Sequence, residues 1–241
     1  MAISVVMPAY NEESGIEEFI SELNAHLDKW EPTFFIVDDC SKDQTAIVAA
    51  SLVQQGVIVR VVPNEVNSGH GPSTVKALQL GLAVEPELIV AIDGDGQFFG
   101  SDVAKVVQLM LDSNCDIAEG VRTQRGDPIY RQVVSLMTRL LVFSRSRRFP
   151  SDANTPLRVY QPGALRRHID ALNPDTMIPN LIISANSRRW KMNIQEIEVR
   201  SIPRRGLDQA SITWGKSRRQ LPTRRFLKFC FGATRDFFTG D

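Results

Sequence analysis

The chain has 241 residues, 43% of them hydrophobic, with 28 basic and 28 acidic side chains, so one large α/β domain or two small ones can bury a real core. Zero net charge argues against a strongly basic nucleic-acid binder and against an acidic disordered tail. The charge is unevenly placed, however: residues 1–120 carry 5 Lys/Arg against 19 Asp/Glu, a net of −14, and residues 121–241 carry 23 against 9, a net of +14, which predicts an anionic partner at one end.

The first 120 residues alternate strands and helices. Ile3–Pro8 is a short β-rich run, and Ser14 with Glu17 makes a capping-box pattern for a helix to about Asp28. Thr33–Val37 is a buried strand that ends in Asp38-Asp39, and a helix follows from Asp43 to about Gln55. Val57–Val62 is the third strand, and the loop NEVNSGHG leads into a helix from about Pro72 to Val84. Leu88–Ile92 is wholly apolar, as a central parallel strand covered on both faces should be. A helix over Asp102–Leu111 and a strand over Asp116–Val121 complete this half. The second half is less regular. It predicts an amphipathic helix over Tyr130–Phe143, a strand over Pro156–Tyr160, helices over Gly163–Leu172 and Ile178–Arg188, and an alternating strand over Met192–Val199. Residues 200–241 hold ten Lys/Arg and three Asp/Glu, interleaved with aromatic residues.

The order predicts an α/β fold with a doubly wound, mostly parallel sheet. Ligands of such sheets sit beyond the carboxyl ends of the strands. Tyr10, Asn11 and Glu12 follow strand one, Asp38 and Asp39 end strand two, and Asp93 and Asp95 end strand four. Five carboxylates are therefore expected at one edge. Three scattered cysteines, Cys40, Cys115 and Cys230, form neither a disulfide framework nor a metal cluster and suit a reducing cytosol. The N-terminal residues lack the pattern of a signal peptide, and no run approaches the ~18–20 apolar residues of a spanning helix. The expectation is a cytoplasmic protein, at most peripheral on a membrane.

The sharpest chemical feature is Ile92-Asp93-Gly94-Asp95-Gly96-Gln97. Asp93 and Asp95, two apart at a strand end, point to the same side. Two carboxylates and an amide oxygen are hard ligands for Mg²⁺ or Mn²⁺, and an ion held by so few protein groups completes its shell with substrate phosphates. The turn after strand one, Pro8-Ala9-Tyr10-Asn11-Glu12, has no glycine-rich dinucleotide fingerprint, and no P-loop is present. Asp38 and Asp39 need donors, which a base N–H and ribose hydroxyls would supply.

These stretches resemble family 2 glycosyltransferases of the GT-A fold, most closely the branch of dolichol-phosphate mannosyltransferase and bacterial polyprenyl-phosphate glycosyltransferases. PAYNEE resembles the family's P-x-Y-N-E, VDDCSKDQT its VDDGSxDxT, NSGHGPS its N-x-G-x-G-x-A, DGDGQF its DxDxQ, and Glu119–Arg122 its G-x-R. Cys40 stands where the family usually has Gly. The likeness covers roughly residues 3–160. It implies that Pro8, Tyr10, Glu12, Asp38, Asp39, Gly69, His70, Asp93 and Gly94 border a nucleoside-diphosphate sugar. It further implies that Asp93, Asp95 and Gln97 hold the metal, and that the sugar is transferred with inversion.

On the acceptor side, Arg131, Ser135 and Arg139 recur on one helix face, with Ile129, Val133, Leu136, Leu140 and Phe143 as the apolar side. The family's Arg-x-x-x-Ser stretch is followed by an Asp and a Gly-Phe-Arg; here Asp152 precedes Pro156-Leu157-Arg158. In that branch such arginines cradle the acceptor phosphate, so Arg122, Arg131, Ser135, Arg158 and Arg204 become candidate acceptor residues. A phosphate is already an anion and needs no general base, whereas a sugar hydroxyl does. Asp152 is the sole nearby carboxylate and is kept, with Asp95 and Arg122, as a candidate catalytic group. The expected organisation is a glycosyltransferase domain over 1–200, divided into a nucleotide-sugar half (1–120) and an acceptor half (121–200). A basic aromatic tail over 201–241 would lie against a membrane surface. Two other readings compete. A sugar-nucleotide pyrophosphorylase would carry a glycine-rich loop where this chain has PAYNEE, and an RNA- or membrane-binding module would leave the clustered acids without a role.

Overall fold

The computed structural model describes residues 1–123, 129–205 and 232–238, the side chains of 129–131 excepted. Its order is β1 (Ile3–Ala9), α1 (Ile16–Leu27), β2 (Pro32–Asp38), α2 (Thr45–Ser51), β3 (Val59–Pro63), α3 (His70–Leu82), β4 (Leu88–Ala91), α4 (Gly100–Ser113) and β5 (Ile117–Thr123). There follow α5 (Ile129–Ser146), β6 (Arg158–Tyr160), α6 (Pro162–Ala171), α7 (Pro179–Arg189) and β7 (Ile194–Arg200). Residues 232–238 are also helical.

The strands form one sheet in the order β3-β2-β1-β4-β6-β5-β7. β1, β2, β3 and β4 run parallel, and β5 runs parallel to β7. Short β6 lies antiparallel between β4 and β5, so the sheet is mixed while remaining mostly parallel. Because β6 reverses direction between two strands of equal sense, the carboxyl ends of β1, β2, β4 and β5 share one edge.

Alternation along the strands builds two cores. Val5, Met7, Phe34, Ile36 and Val90 face a layer with α1 and α4, whereas Val6, Phe35, Val37 and Ile89 face α3, α6 and α7. Phe237, from the helical residues 232–238, is buried in that second layer. Each core strand thus contributes to both faces, which requires the nearly continuous apolar runs seen in the sequence.

The Ser14 capping box does not form. Gly15 is the N-cap, and the Glu12 carbonyl accepts from the Gly15 and Ile16 amides instead. The spacing also places Val133, Leu136 and Leu140 on an apolar helix side, and in the structure that side of α5 is exposed. α5 packs through Leu141 and Val142.

Among the described residues no helix is long and apolar enough to cross a membrane. Residues 206–231 of the expected tail, with Gly206, Ser211, Trp214 and most of Arg218–Arg235, lie outside the described residues.

Candidate active site

Five acids gather at the shared carboxyl edge: Glu12, Asp38, Asp39, Asp93 and Asp95. The loop after β4 carries the last two. The Gly94 amide donates to the Pro8 carbonyl at 3.1 Å, and a Cβ on Gly94 would lie 2.8 Å from that same oxygen. The glycine therefore lets the DGDG turn pack flat against the end of β1. Asp95 accepts from the Gln97 amide at 3.2 Å. A small cleft on the other side of Asp93 is lined by Pro8, Thr74, Pro156 and Asn180. His70, at the start of α3, places Nε2 3.5 Å from Asp93 Oδ1.

The electrostatics of this edge are those of excess negative charge. Burial, and then the neighbouring Asp93 charge, push the Asp95 carboxyl up to about 6. Burial also pushes Glu12 up to about 7, against the opposing pull of Arg204. Among the described residues no group of three or more His, Cys, Asp or Glu is arranged to hold a metal. The protein's own offer is Asp93 and Asp95. Two repelling carboxylates, both half-buried, fit an ion that takes its remaining ligands from phosphate oxygens and water.

The acids of β2 have a different set of partners. Ser41 bonds Asp38 through its hydroxyl and, at 3.2 Å, its amide. Asp39 accepts from Asn64 Nδ2 (2.9 Å), the Ser68 amide (2.8 Å) and the Gly69 amide (2.9 Å). Asp39 thereby shapes the loop that opens α3 and positions His70. The donors expected from a base and ribose are here supplied by the protein. Cys40 lies at φ 59°, the left-handed region that favours glycine, so the turn is kept with a side chain in place. Tyr10 is partly exposed just beyond β1, and its carbonyl accepts from Arg204 at 3.3 Å.

Residues 201–205 lie across the loop after β4 as a strap. The Ile202 amide donates to the Gln97 carbonyl (3.1 Å) and the Arg205 amide to the Asp95 carbonyl (3.3 Å). Arg205 Nε donates to the Gly96 carbonyl (3.1 Å), Nη1 to Glu18 (2.8 Å), and Nη2 to Glu22 and the Phe98 carbonyl. Gly96 has φ 68°, and a Cβ there would lie 2.8 Å from Arg205 Cδ. Arg204 forks onto Glu12, with Nε 2.8 Å from Oε2. Arg204, expected at the acceptor, is thus joined to Glu12 and to the Tyr10 and Asn11 carbonyls at the end of β1.

The other acceptor candidates separate. Arg158 is fully buried, because β6 is inserted beside β5 with Arg158 directly opposite Glu119. Its Nε meets Glu119 Oε1 at 2.8 Å and its Nη1 meets the Asn180 carbonyl at 3.0 Å, so it is an interior residue and not a surface ligand. Glu119 also accepts from Arg188 (2.7 Å), and the two cations hold its carboxyl below the usual range despite burial. Arg122 grips Asp152 with Nε at 2.8 Å and Nη2 at 3.2 Å, and donates to the Asn154 carbonyl at 2.8 Å. Ser135 is half-buried on α5, and the Arg131 side chain lies outside the described residues. Sequence reasoning missed Thr74, Asn180 and Arg205. Asn180, in the first turn of α7, both lines the cleft and holds Arg158.

The fold is a mixed α/β sheet with a two-acid loop at its carboxyl edge. The chain belongs to glycosyl transferase family 2, whose model matches residues 4–172. It is similar to UDP-N-acetylglucosamine–dolichyl-phosphate N-acetylglucosaminyltransferase of Methanococcus voltae, 26% identical over 220 residues that cover 83% of this chain and 85% of the relative. It is also similar to undecaprenyl-phosphate 4-deoxy-4-formamido-L-arabinose transferase of Edwardsiella ictaluri, 25% identical over 199 residues. That match covers 81% of this chain but spans only 60% of the relative's length. Among solved structures, glucosyl-3-phosphoglycerate synthase of Mycobacterium tuberculosis, in complex with Mn²⁺, UDP-glucose and phosphoglyceric acid, shares the fold at TM-score 0.62 and 19% identity. It covers 98% of this chain and 77% of the synthase chain. The chain is therefore a glycosyltransferase with a GT-A fold, as its sequence leads one to expect.

Proposed function

We propose that this enzyme is a metal-dependent inverting glycosyltransferase that moves a hexose-type sugar from a nucleoside-diphosphate sugar to a polyprenyl phosphate. It would act peripherally on the cytoplasmic face of a membrane. The observation that carries the proposal is the Asp93–Asp95 pair at the end of β4, beside the cleft and on the same edge as Glu12 and Asp39. Asp93 and Asp95, with Gln97 alongside, would hold Mg²⁺ or Mn²⁺, which supplies Lewis-acid stabilisation of the leaving diphosphate. Pro8, Tyr10 and the loop from Asn67 to Gly71 border the donor. The acceptor oxygen attacks the anomeric carbon from the face opposite the diphosphate; the new C–O bond forms as the bond to the β-phosphate oxygen breaks. Residues 1–200 form the catalytic domain and 201–241 its basic C-terminal part.

The phosphate acceptor is favoured over a hydroxyl by the state of Asp152. A hydroxyl needs a base, and the nearby carboxylate is tied on both oxygens to Arg122. An anionic acceptor needs only cations. The names of the Methanococcus and Edwardsiella relatives, both transferases onto polyprenyl phosphates, support the same choice. The test is an assay of the purified chain with several sugar nucleotides against polyprenyl phosphate and against free glycans. Transfer to the lipid phosphate, abolished in Asp95→Ala, is expected. Transfer to glycan hydroxyls alone would overturn the acceptor, and turnover retained by Asp95→Ala in excess Mn²⁺ would overturn the metal site.

A further inference from the structure

Helix α5 turns its apolar stripe outward. Val133, Leu136, Met137 and Leu140 are 51%, 53%, 55% and 48% exposed. They fall at i, i+3, i+4 and i+7, one unbroken side of the helix. The opposite side carries Val142, which is fully buried, and half-buried Leu141, both packed into the second core layer. The outward stripe continues past the helix end into Phe149, 52% exposed, whose ring stacks on Phe143 at 4.4 Å. Four large aliphatic side chains in a row are more than the scattered apolar residues an ordinary surface carries.

The charges around the stripe say what covers it. Between Asp127 and Asp152 the chain holds arginines and no acid; Arg145 turns inward, with Nη1 2.7 Å from the Phe237 carbonyl, whereas Arg139, Arg147 and Arg148 lie at the Phe149 end of the stripe. Arg147 and Arg148 are exposed at the end of α5, next to Phe149. Arg139 lies over the Phe149 ring at 5.9 Å. An apolar strip bordered by cations is the pattern of a helix lying in the interface plane of an anionic bilayer, with apolar side chains in the acyl boundary and guanidinium groups among headgroups. The position of the helix agrees. α5 follows β5 in the chain, and the carboxyl end of β5 lies on the edge that carries Asp93 and Asp95.

We propose that the exposed face of α5, Val133, Leu136, Met137 and Leu140 with Phe149, Arg147 and Arg148, docks the enzyme onto an anionic lipid surface. This deepens the proposed use of a lipid-borne acceptor and rests on that reading for its purpose, though not for its test. The full chain is sedimented with vesicles of phosphatidylglycerol and phosphatidylcholine, or of phosphatidylcholine alone, without donor or acceptor. The wild type is expected to bind the anionic vesicles and to release them as salt rises. The variant L136Q/M137Q/L140Q, which alters only exposed side chains, is expected to bind at least about tenfold more weakly. R147E/R148E is expected to lose the preference for anionic lipid. Far-UV circular dichroism and Tm establish that both variants are folded. Vesicle binding by L136Q/M137Q/L140Q equal to wild type overturns the proposal. So does a wild-type dimer in sedimentation velocity that this variant dissociates without change in vesicle binding, because a second copy then covers the stripe. A fall in Tm of the variant, with no vesicle binding by wild type, overturns it in favour of cover by residues 206–231. Donor binding measured by calorimetry on the same proteins keeps the two readings apart: its absence, with vesicle binding intact, refutes the transferase chemistry and leaves the docking face standing.

Discussion

The guanidinium of Arg205 ties the Gly96 and Phe98 carbonyls of the loop after β4 to the Glu18 and Glu22 carboxylates of α1. It fixes the loop that carries Asp95 without touching the Asp95 side chain. Arg205→Ala is expected to weaken Mn²⁺-dependent donor binding by about 10–100-fold, the usual effect of removing a group that orients a metal ligand. Arg205→Lys should not restore it, because an ammonium cannot reproduce the fork. Titration of donor binding with Mn²⁺ measures both. Glu119 acts on stability instead. It is the anion between two buried arginines, so Glu119→Gln leaves Arg158 without its counter-charge, while Arg188 keeps Glu196. A loss of about 3–5 kcal/mol is expected in urea unfolding. The carboxylates of the site were legible in the sequence because strand ends concentrate them: PAYNEE, VDD and DGDGQ each follow an apolar run. Arg205 and Asn180 were not. Their partners are Glu18, Gly96 and Arg158, separated from them by 187, 109 and 22 residues, and such contacts leave no local pattern.

At the scale of elements, the tie between α4 and β7 is Asp102, which accepts from the Arg200 amide, Nε and Nη2 and from Lys105 Nζ. Burial alone would raise its carboxyl, but the hydrogen bonds from Arg200 and Lys105 outweigh it and bring it down to about 2. A depressed acid contributes stability above its unfolded value and loses it as pH falls through the folded one. Asp102→Asn should therefore lower Tm at pH 7, with the gap to wild type narrowing below pH 3.8 and gone below about 2. A gap that persists unchanged at pH 2 would refute the ionic origin. The strands β1, β2 and β4 were readable from composition because central strands bury both faces. The place of β6 was not, since its three residues pair with strands far away in the chain and carry no periodicity of their own. The direction of α5 was also illegible. A helix with apolar residues all along one side predicts which residues share a face, and only the packing of Leu141 and Val142 shows that the opposite face is the one turned inward.

For the whole molecule, the division of charge follows the division of labour. The acidic half supplies the carboxyl edge, where burial first, and then neighbouring carboxylates, raise Glu12 and Asp95 above the usual carboxylate range. The basic half supplies the strap, whose arginines neutralise Glu12, Glu18 and Glu22, and the cations bordering the α5 stripe. Zero net charge is the sum of an acidic half and a basic half. The central claim is that a sugar nucleotide binds the carboxyl edge through a divalent ion held by Asp93 and Asp95. Its most direct test is thermal unfolding of the full chain with a panel of nucleoside-diphosphate sugars, with and without Mn²⁺, alongside Asp95→Ala. A ligand at about 100 times its Kd adds about 2.7 kcal/mol of stability, a readily measured rise in Tm. At least one donor is expected to raise Tm only when Mn²⁺ is present, and Asp95→Ala is expected to abolish the rise. A rise of equal size without metal, or one that survives in Asp95→Ala, would contradict the claim.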